Sequence, residues 1–443
     1  MIKKRIIYKL LYKLPKYFFP YFLEVILRFK TNLSSKGGGL IVINTHDRSG
    51  GASKIAYQLA LLMRKSRNSM MFVQYKDRAE DWIKKIHSNE EVFDSFFSNY
   101  LSDQEKKGGW LDFSKISWIK DKEFSSLIQS NIIHLHNLHG GYFSYALLPY
   151  LSKTKKLIWT LHDEHALTGH CSFTMTCEKW KDNCMKCAFL DVYPAIQFDN
   201  TKALRRYKER WIKKSNITFV TPSYWLSNRL KEVYPFVKDI HVIQNGIDIS
   251  LFIKQDQKES RKKFNLPYDK FIVLFVAEYS TNNPFKGGET IRELIKLNSN
   301  NSILFVTVGG KTTEVNSNFI EIPYLKNEED LAALYSACDL MLYPTNADNH
   351  PLVVMESMSC ELPVLAPEIG GIPEIISPNI DGWLVDSYSK PVIYLEMLTK
   401  IYDLKFKDEA AFCKFGINAR NKIEINFTQD QMFKKYEDLY SIV

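Results

Sequence analysis

A chain of 443 residues is longer than one ordinary core accommodates, so two domains of roughly 200 residues each are expected. Hydrophobic content of 45% with 25% charged residues excludes a disordered chain. The net charge is +9, but residues 1–30 carry +7 of it, which leaves no broad basic face for nucleic acid on the rest of the chain.

The first segment, residues 1–36, reads as a basic amphipathic extension. Arg5, Lys9, Lys13 and Lys16 fall on one arc of a helical wheel; Ile6, Ile7, Leu10, Leu11, Leu14, Tyr17 and Phe18 fall on the other. That split suits a helix lying on the anionic inner face of a membrane through residues 1–30, and equally a helix packed on its own domain with lysines in solvent. A span needs about 20 mainly apolar residues. The best run here, Tyr17 to Leu23, is short and contains Pro20. With no small-residue cleavage site behind an apolar stretch, the reading is a cytoplasmic protein, peripheral at the inner membrane face. Its seven cysteines are then thiols or metal ligands.

From residue 40 short apolar runs alternate with helical segments. Leu40–Asn44 reads as a buried strand, then a turn with Gly50 and Gly51, then a helix marked by Ile55, Leu59, Leu62 and Met63. Further strands are expected at Ile132–Leu135, Leu157–Leu161, Ile217–Val220 and His241–Gln244. Between the third and fourth of these five strands lie Cys171, Cys177, Cys184 and Cys187, spaced C-x5-C-x6-C-x2-C. Four thiolates at loop spacing suit tetrahedral structural zinc; unligated thiols or a redox pair are the alternatives. Cys338, Cys360 and Cys413 read as buried thiols.

After a polar stretch, Gly246–Pro267, the pattern restarts at Phe271–Ala277, Ile303–Val308, Phe319–Ile322, Leu340–Tyr343, Pro363–Ala366 and Trp383–Val385. Strands alternating with helices imply parallel sheets covered on both faces. The domains expected are 37–248 and 249–425, both Rossmann-like, with 426–443 a helix returning to the first. In such sheets ligands bind beyond the carboxyl ends of the strands. Gly50 and Gly51, His162, Gly309 and Asp348 all follow strand runs.

The most specific segment is Asp348-Asn349-His350-Pro351-Leu352-Val353-Val354-Met355-Glu356. Pro351 suits the first turn of a helix. The unpaired N–H groups of that turn, after Asn349, His350 and Pro351 and at Leu352 and Val353, suit a diphosphate or a sugar oxygen. Asp348 and Glu356 can accept hydrogen bonds from sugar and ribose hydroxyls. The plainer reading makes Asp348 a turn residue and Glu356 a solvated helix residue.

This stretch resembles the acidic E-x7-E signature of glycosyltransferase family 4. The resemblance continues through Cys360–Ala366, Gly370-Gly371-Ile372-Pro373-Glu374 and Asp381–Val385, and upstream through Val242–Asp248. Thr160-Leu161-His162-Asp163 with Thr168-Gly169-His170-Cys171 is similar to exopolysaccharide, colanic-acid-type transferases of that family. It implies an α/β fold of the GT-B type, two doubly wound Rossmann-like domains facing a central cleft, the first for the acceptor and the second for the nucleotide-sugar donor. It implies a retaining hexosyltransferase that needs no catalytic metal. The sugar would pass from a nucleotide-diphosphate donor to a glycan or lipid-linked acceptor in surface polysaccharide biosynthesis.

Carried over residue by residue, Glu356 would hold the ribose, Asp348 the transferred sugar, and Lys286 the diphosphate. His162 would lie near the reacting sugar, and Gly50 and Gly51 in the loop approaching it. Two departures stand out. Asp348 replaces the usual Glu, and the arginine that usually accompanies the lysine is missing, with Glu278 and Phe285 at the nearby positions. A non-catalytic glycan-binding or scaffold relative, and a nucleotide-sugar epimerase, remain as alternatives on the same fold.

Overall fold

The computed structural model describes residues 39–86, 130–153, 155–310 and 314–442, with positions 99, 103, 105, 109, 112 and 115. The amphipathic segment 1–36 lies outside the described residues. Contacts divide the chain into two compact units, one running to Thr221 with Ser227–Val242, the other comprising Pro222–Leu226 and Ile243–Ser441.

The first unit is built on seven strands: β1 (Gly39–His46), β2 (Ser69–Tyr75), β3 (Ile83–Lys85), β4 (Ser130–Leu135), β5 (Lys156–Thr160), β6 (Ile217–Thr221) and β7 (Ile240–Val242). Their spatial order is β3-β2-β1-β4-β5-β6-β7, with every pairing parallel. A parallel strand covered on both faces must be apolar along its whole length. β1 obeys this, with Leu40 to Ile43 all 2% exposed or less. Helix α1 (Gly51–Met63) follows β1 and buries Ile55, Leu59 and Met63; α2 (Thr201–Lys213) buries Leu204, Tyr207 and Trp211.

The second unit repeats the plan with β8 (Phe271–Val276), β9 (Ile303–Gly310), β10 (Glu314–Asn316), β11 (Phe319–Pro323), β12 (Leu340–Leu342), β13 (Val364–Pro367) and β14 (Gly382–Val385). The order is β10-β11-β9-β8-β12-β13-β14, and only β10 runs antiparallel. Its helices include α3 (Gly288–Leu297), α4 (Glu328–Ala337), α5 (Leu352–Ser359), α6 (Pro391–Lys407), α7 (Glu409–Asn426) and α8 (Gln429–Ile442). Phe271, Phe275, Phe305, Leu342, Leu365, Trp383, Leu398 and Phe412 belong to one buried cluster. Each such side chain contributes about 1.5–3 kcal/mol of burial. Asn327 caps α4 by accepting from the Glu329 N–H, and Asp408 caps α7 through Ala411.

Both sheets place a topological switch at their centre. In the first, the chain leaves β1 toward β2 on one side while β4 pairs on the other. In the second, β8 is flanked by β9 and β12. Diverging connections leave a crevice beyond the strand ends at such points, the usual place for a ligand. Among the described residues no helix is long and apolar enough to cross a membrane.

Candidate functional site

In the second unit the switch point is lined by the loops after β8 and β12. Asn283 Oδ1 accepts the backbone N–H groups of Phe285 and Lys286 at 3.0 and 3.2 Å, folding the first loop into a turn. The Phe285 carbonyl then accepts from Asn346 N–H at 2.7 Å and Thr345 Oγ1 at 2.9 Å, which ties the two loops together. Gly287 is left-handed at φ 78°, and a Cβ there would stand 1.8 Å from the Pro344 carbonyl oxygen. Only glycine permits that approach. The result is an ion pair between Lys286 Nζ and Asp348 Oδ2, with side chains 25% and 12% exposed. The Tyr343 hydroxyl donates to the same carboxylate oxygen, and Asn349 N–H donates to Oδ1 at 2.8 Å.

The acidic segment then turns into α5. Pro351 stands at the cap position, one residue before the first helical turn, because its extended ψ of 122° keeps it outside the helix. The cap has no side-chain hydrogen bond, so Leu352 and Val353 open the helix with their N–H groups uncapped. Glu356 is only 4% exposed and accepts from the Tyr335 hydroxyl at 3.2 Å. It is therefore not a solvated helix residue. Burial, with the neighbouring carboxylates, pushes the Tyr335 and Tyr343 phenols well above their ordinary range, so both remain donors. His350 is buried beside Phe427, and burial holds its pKa down at about 3. Gly370 and Gly371 press on this loop: a Cβ on them would meet the Asp348 and Asn349 carbonyl oxygens at 1.7 and 2.0 Å. Gly309 is the penultimate residue of β9, at φ 109° and against the Ala277 carbonyl.

In the first unit the loops after β1, β4 and β5 carry the polar groups. Gly50 is left-handed at φ 81° with open space around it, and Gly51 begins α1. The buried Asp47 holds that loop by accepting from the Asp77 and Arg78 N–H groups. His162 is bonded to His136, Nε2 to Nδ1, at 2.8 Å. Burial, together with neighbouring histidine charge, pulls His162 down to about 4, against the opposing pull of Asp163. His136 lies well below its ordinary value for the same first reason. Both rings are neutral at pH 7, so His162 offers a hydrogen bond and not a cation. Nearby, Lys208 is buried and its ammonium reaches the His165 carbonyl at 2.6 Å; burial lowers it to about 7.

Cys171, Cys177, Cys184 and Cys187 line one small cavity together with His170. Backbone N–H groups of Gly169 and Phe189 donate to the sulfurs of Cys184 and Cys187 at 3.3 and 3.4 Å. Among the described residues no three His, Cys, Asp or Glu side chains already stand together as a ligand set. Cys338 and Cys360 are buried thiols; Cys413, expected to be buried, is exposed. It follows the buried Phe412 on α7 by one residue, which rotates it off the packed face.

Sequence reading missed Tyr343 and Tyr335, which hold the two carboxylates, and the partners His136 and His139. The spacing of His134, His136 and His139 at the end of a strand was the available signal.

The glycosyl transferases group 1 family matches residues 256–416, and Glycosyltransferase Family 4 matches residues 49–251. The chain is a glycosyltransferase built of a family 4 domain followed by a group 1 domain. This glycosyltransferase is 25% identical over 323 residues to a putative colanic acid biosynthesis glycosyl transferase, WcaC of Escherichia coli, covering 70% of this chain and 76% of WcaC. It is 23% identical over 224 residues to the N-acetyl-alpha-D-glucosaminyl L-malate synthase of Bacillus anthracis, covering 49% and 58%. Its fold matches sucrose-phosphate synthase from Thermosynechococcus elongatus at a TM-score of 0.66 and 15% identity, over 91% of this chain and 98% of that one. Anabaena Alr3699/HepE, solved with UDP and glucose, matches at 0.64 and 15% identity, over 91% and 99%. The architecture is GT-B, two α/β units each on a parallel-strand sheet.

Proposed function

We propose that this glycosyltransferase moves a hexosyl group, with retention, from a nucleotide-diphosphate sugar to a glycan or lipid-linked hydroxyl, in surface polysaccharide biosynthesis at the inner membrane face. The observation that carries the reading is the Lys286–Asp348 pair at the switch point of the second sheet. A diphosphate arriving there would take the Lys286 ammonium from Asp348. The released carboxylate could then accept from a sugar hydroxyl while the ammonium neutralises charge on the departing diphosphate. Stabilising that leaving group is where most of the barrier reduction arises. The N–H groups at the start of α5 suit the same anion. Glu356, held by Tyr335, would accept from the ribose, with Gly309, Asn349 and His350 shaping the loops around the donor. In the first unit, His162 would meet a sugar hydroxyl and the Gly50-Gly51 loop would make room for it.

The test is donor turnover with a panel of nucleotide sugars. Glu356→Ala should cut turnover at subsaturating donor by roughly ten- to a hundredfold, through a raised donor KM, the size expected for losing a ribose hydrogen bond to a charged group of about 1.5–3 kcal/mol. Unchanged turnover in that variant ends the reading, and an inverted anomeric product by NMR ends the retaining part of it. A non-catalytic relative, favoured by Glu278 and Phe285 at the positions near the missing arginine, would bind donor and release no nucleoside diphosphate.

The cysteine loop supports a structural zinc proposal as well. Cys171, Cys177, Cys184 and Cys187 would hold the ion as thiolates, and the two N–H donors to sulfur suit that charge. The ion would fix the loop and take no part in the transfer. Metal analysis of the purified chain should give one zinc, lost in Cys184→Ser. Four freely titrating thiols in protein grown with zinc would end it.

A further inference from the structure

The segment Gly370–Glu374 does more than press on the acidic loop with its glycines. Its last residue reaches Pro222–Leu226, a stretch of the second unit that directly follows β6. The Glu374 carboxylate accepts the backbone N–H groups of Tyr224 and Trp225 at 2.9 and 2.8 Å. Those two residues open the helix Tyr224–Val233, where the first N–H groups have no carbonyl partner within the helix. A carboxylate there satisfies two of them and complements the positive helix end. The helix start is thereby fixed.

Ser223 is the residue seated by that helix start. Its Oγ accepts the Leu226 N–H at 3.1 Å, three residues on, as a cap does. A hydroxyl carries one proton, and here that proton goes to Asn349 Oδ1. Ser223 and Asn349 are 0% and 1% exposed, so water does not compete for the bond. Gly371 lies against both: a Cβ there would meet the Asn349 carbonyl oxygen at 2.0 Å and Ser223 Cβ at 2.9 Å. Asn349 in turn donates its N–H to Asp348 Oδ1 at 2.8 Å, and Asn245 Nδ2 donates to the His350 carbonyl at 3.0 Å. An Asp side chain has one torsion fewer than Glu, so its carboxylate follows the backbone of residues 348–349 closely. What fixes Asn349 fixes where Asp348 points.

We propose that Ser223 is a positioning residue for sugar transfer: seated by Glu374, it holds Asn349 and, through the Asn349 N–H, sets the angle at which the Asp348 carboxylate meets the hydroxyls of the donor sugar. Ser223 itself touches no substrate. Ribose and diphosphate are served by Glu356 and Lys286, which stand on α5 and on the loop after β8. Losing the Ser223 hydroxyl should therefore spoil the placement of the sugar and spare nucleotide binding. The inference rests on the transferase reading and deepens it by naming what aims the sugar-binding carboxylate.

Ser223→Ala, Asn349→Ala and the double variant are compared in transfer with the best donor of a nucleotide-sugar panel, and in calorimetry with the matching nucleoside diphosphate. Ser223→Ala should lower kcat about tenfold and leave the nucleoside diphosphate Kd within about threefold. The double variant should be no slower than Asn349→Ala, because Ser223 acts only through that residue. Ser223→Gly, which keeps a tolerated cap residue and also lacks the hydroxyl, should repeat the kcat loss if the alanine variant folds poorly. Hydrogen exchange gives a readout without turnover: the Asn349 amide should exchange about tenfold faster in the Ser223 variants, with the Phe285 and Lys286 amides unchanged. An undiminished kcat in a folded variant, losses that add in the double variant, or an Asn349 amide as protected as in the intact chain would overturn the proposal. Faster Asn349 exchange in a chain whose intact form turns over no donor would support the link from Ser223 to Asp348 and sink the transferase reading instead.

Discussion

Acidification should destabilise the first unit through its buried histidines. His134, His136 and His162 lie in series, with ring centroids 4.2 and 5.1 Å apart, the first pair tilted and the second stacked. Burial, then repulsion from His162, takes His134 down to about 3, and burial leads the fall of His162 to about 4. An unfolded histidine titrates near 6.5, so between that value and about 4 the unfolded chain binds more protons than the folded one. The contribution is therefore intact above about pH 6.5 and is lost as pH falls through the window below it. From pH 7 to pH 5 each of these two histidines removes about 2 kcal/mol. Asp112 acts the other way: burial and the charge of Glu105 raise it to about 6, so its proton uptake on folding returns about 1 kcal/mol over the same range. The histidines win, and a net loss of about 3 kcal/mol corresponds to roughly 6–12 °C for a unit of this size. Circular dichroism melts at pH 7 and pH 5 read this directly. His134→Gln, which keeps a partner for the Thr160 hydroxyl at 2.7 Å but cannot titrate, should shrink the difference by about 2 kcal/mol. Equal melting temperatures at the two pH values would refute the reasoning, as would an unshrunk difference in His134→Gln.

The donor side gives two further expectations. Gly287→Ala must push the loop off Pro344 and adopt a strained φ, costing about 1–3 kcal/mol; thermal melts check the stability, and a donor KM that rises with the displaced Lys286 checks the site. Under the proposed function, Asp348→Asn removes the charge that competes for Lys286, so calorimetry across a panel of nucleoside diphosphates should find the bound one held about two- to fivefold more tightly, a modest gain because the pair is partly exposed, while transfer becomes slower. Weaker nucleoside diphosphate binding in that variant would remove the competition from the account.

The strand series was legible because buried parallel strands must be continuously apolar, as Phe271 to Val276 are. Every strand expected from residue 40 onward is present. The three that were not anticipated have reasons. β2 begins with Ser69-Met70-Met71, unbranched residues that carry little strand signal, and β3 and β10 are three residues long, too short for a period to register. Asp348 and Glu356 were visible because they flank a helix start. Their tyrosine partners were not, since Tyr335 lies 21 residues before Glu356 on another element and reads as one more apolar helix residue. The exposure of Cys413 was a question of rotation about α7, which composition does not carry.

What brings Lys286 to Asp348 is a set of missing side chains more than any attraction between them. A partly exposed ion pair contributes about 0–1 kcal/mol, too little to fold two loops against each other. The loops are instead held by backbone groups: the Asn283 turn, the Phe285 carbonyl shared by Thr345 and Asn346, and the contact of Gly287 with Pro344. On the other side, Gly370 lies against the Asp348 carbonyl, so the carboxylate is fixed from behind as the ammonium is fixed from in front. A pair positioned this way could give up its ammonium to a diphosphate, as the proposed transfer requires, without the loops moving, because the loops do not depend on the pair. That independence is what the proposal asks of it, in contrast to an ion pair that merely stabilises a fold. Arg261 and Asp339, buried at 2.7 Å with the Ile272 N–H bonded to the same carboxylate oxygen, are the second kind in the same unit.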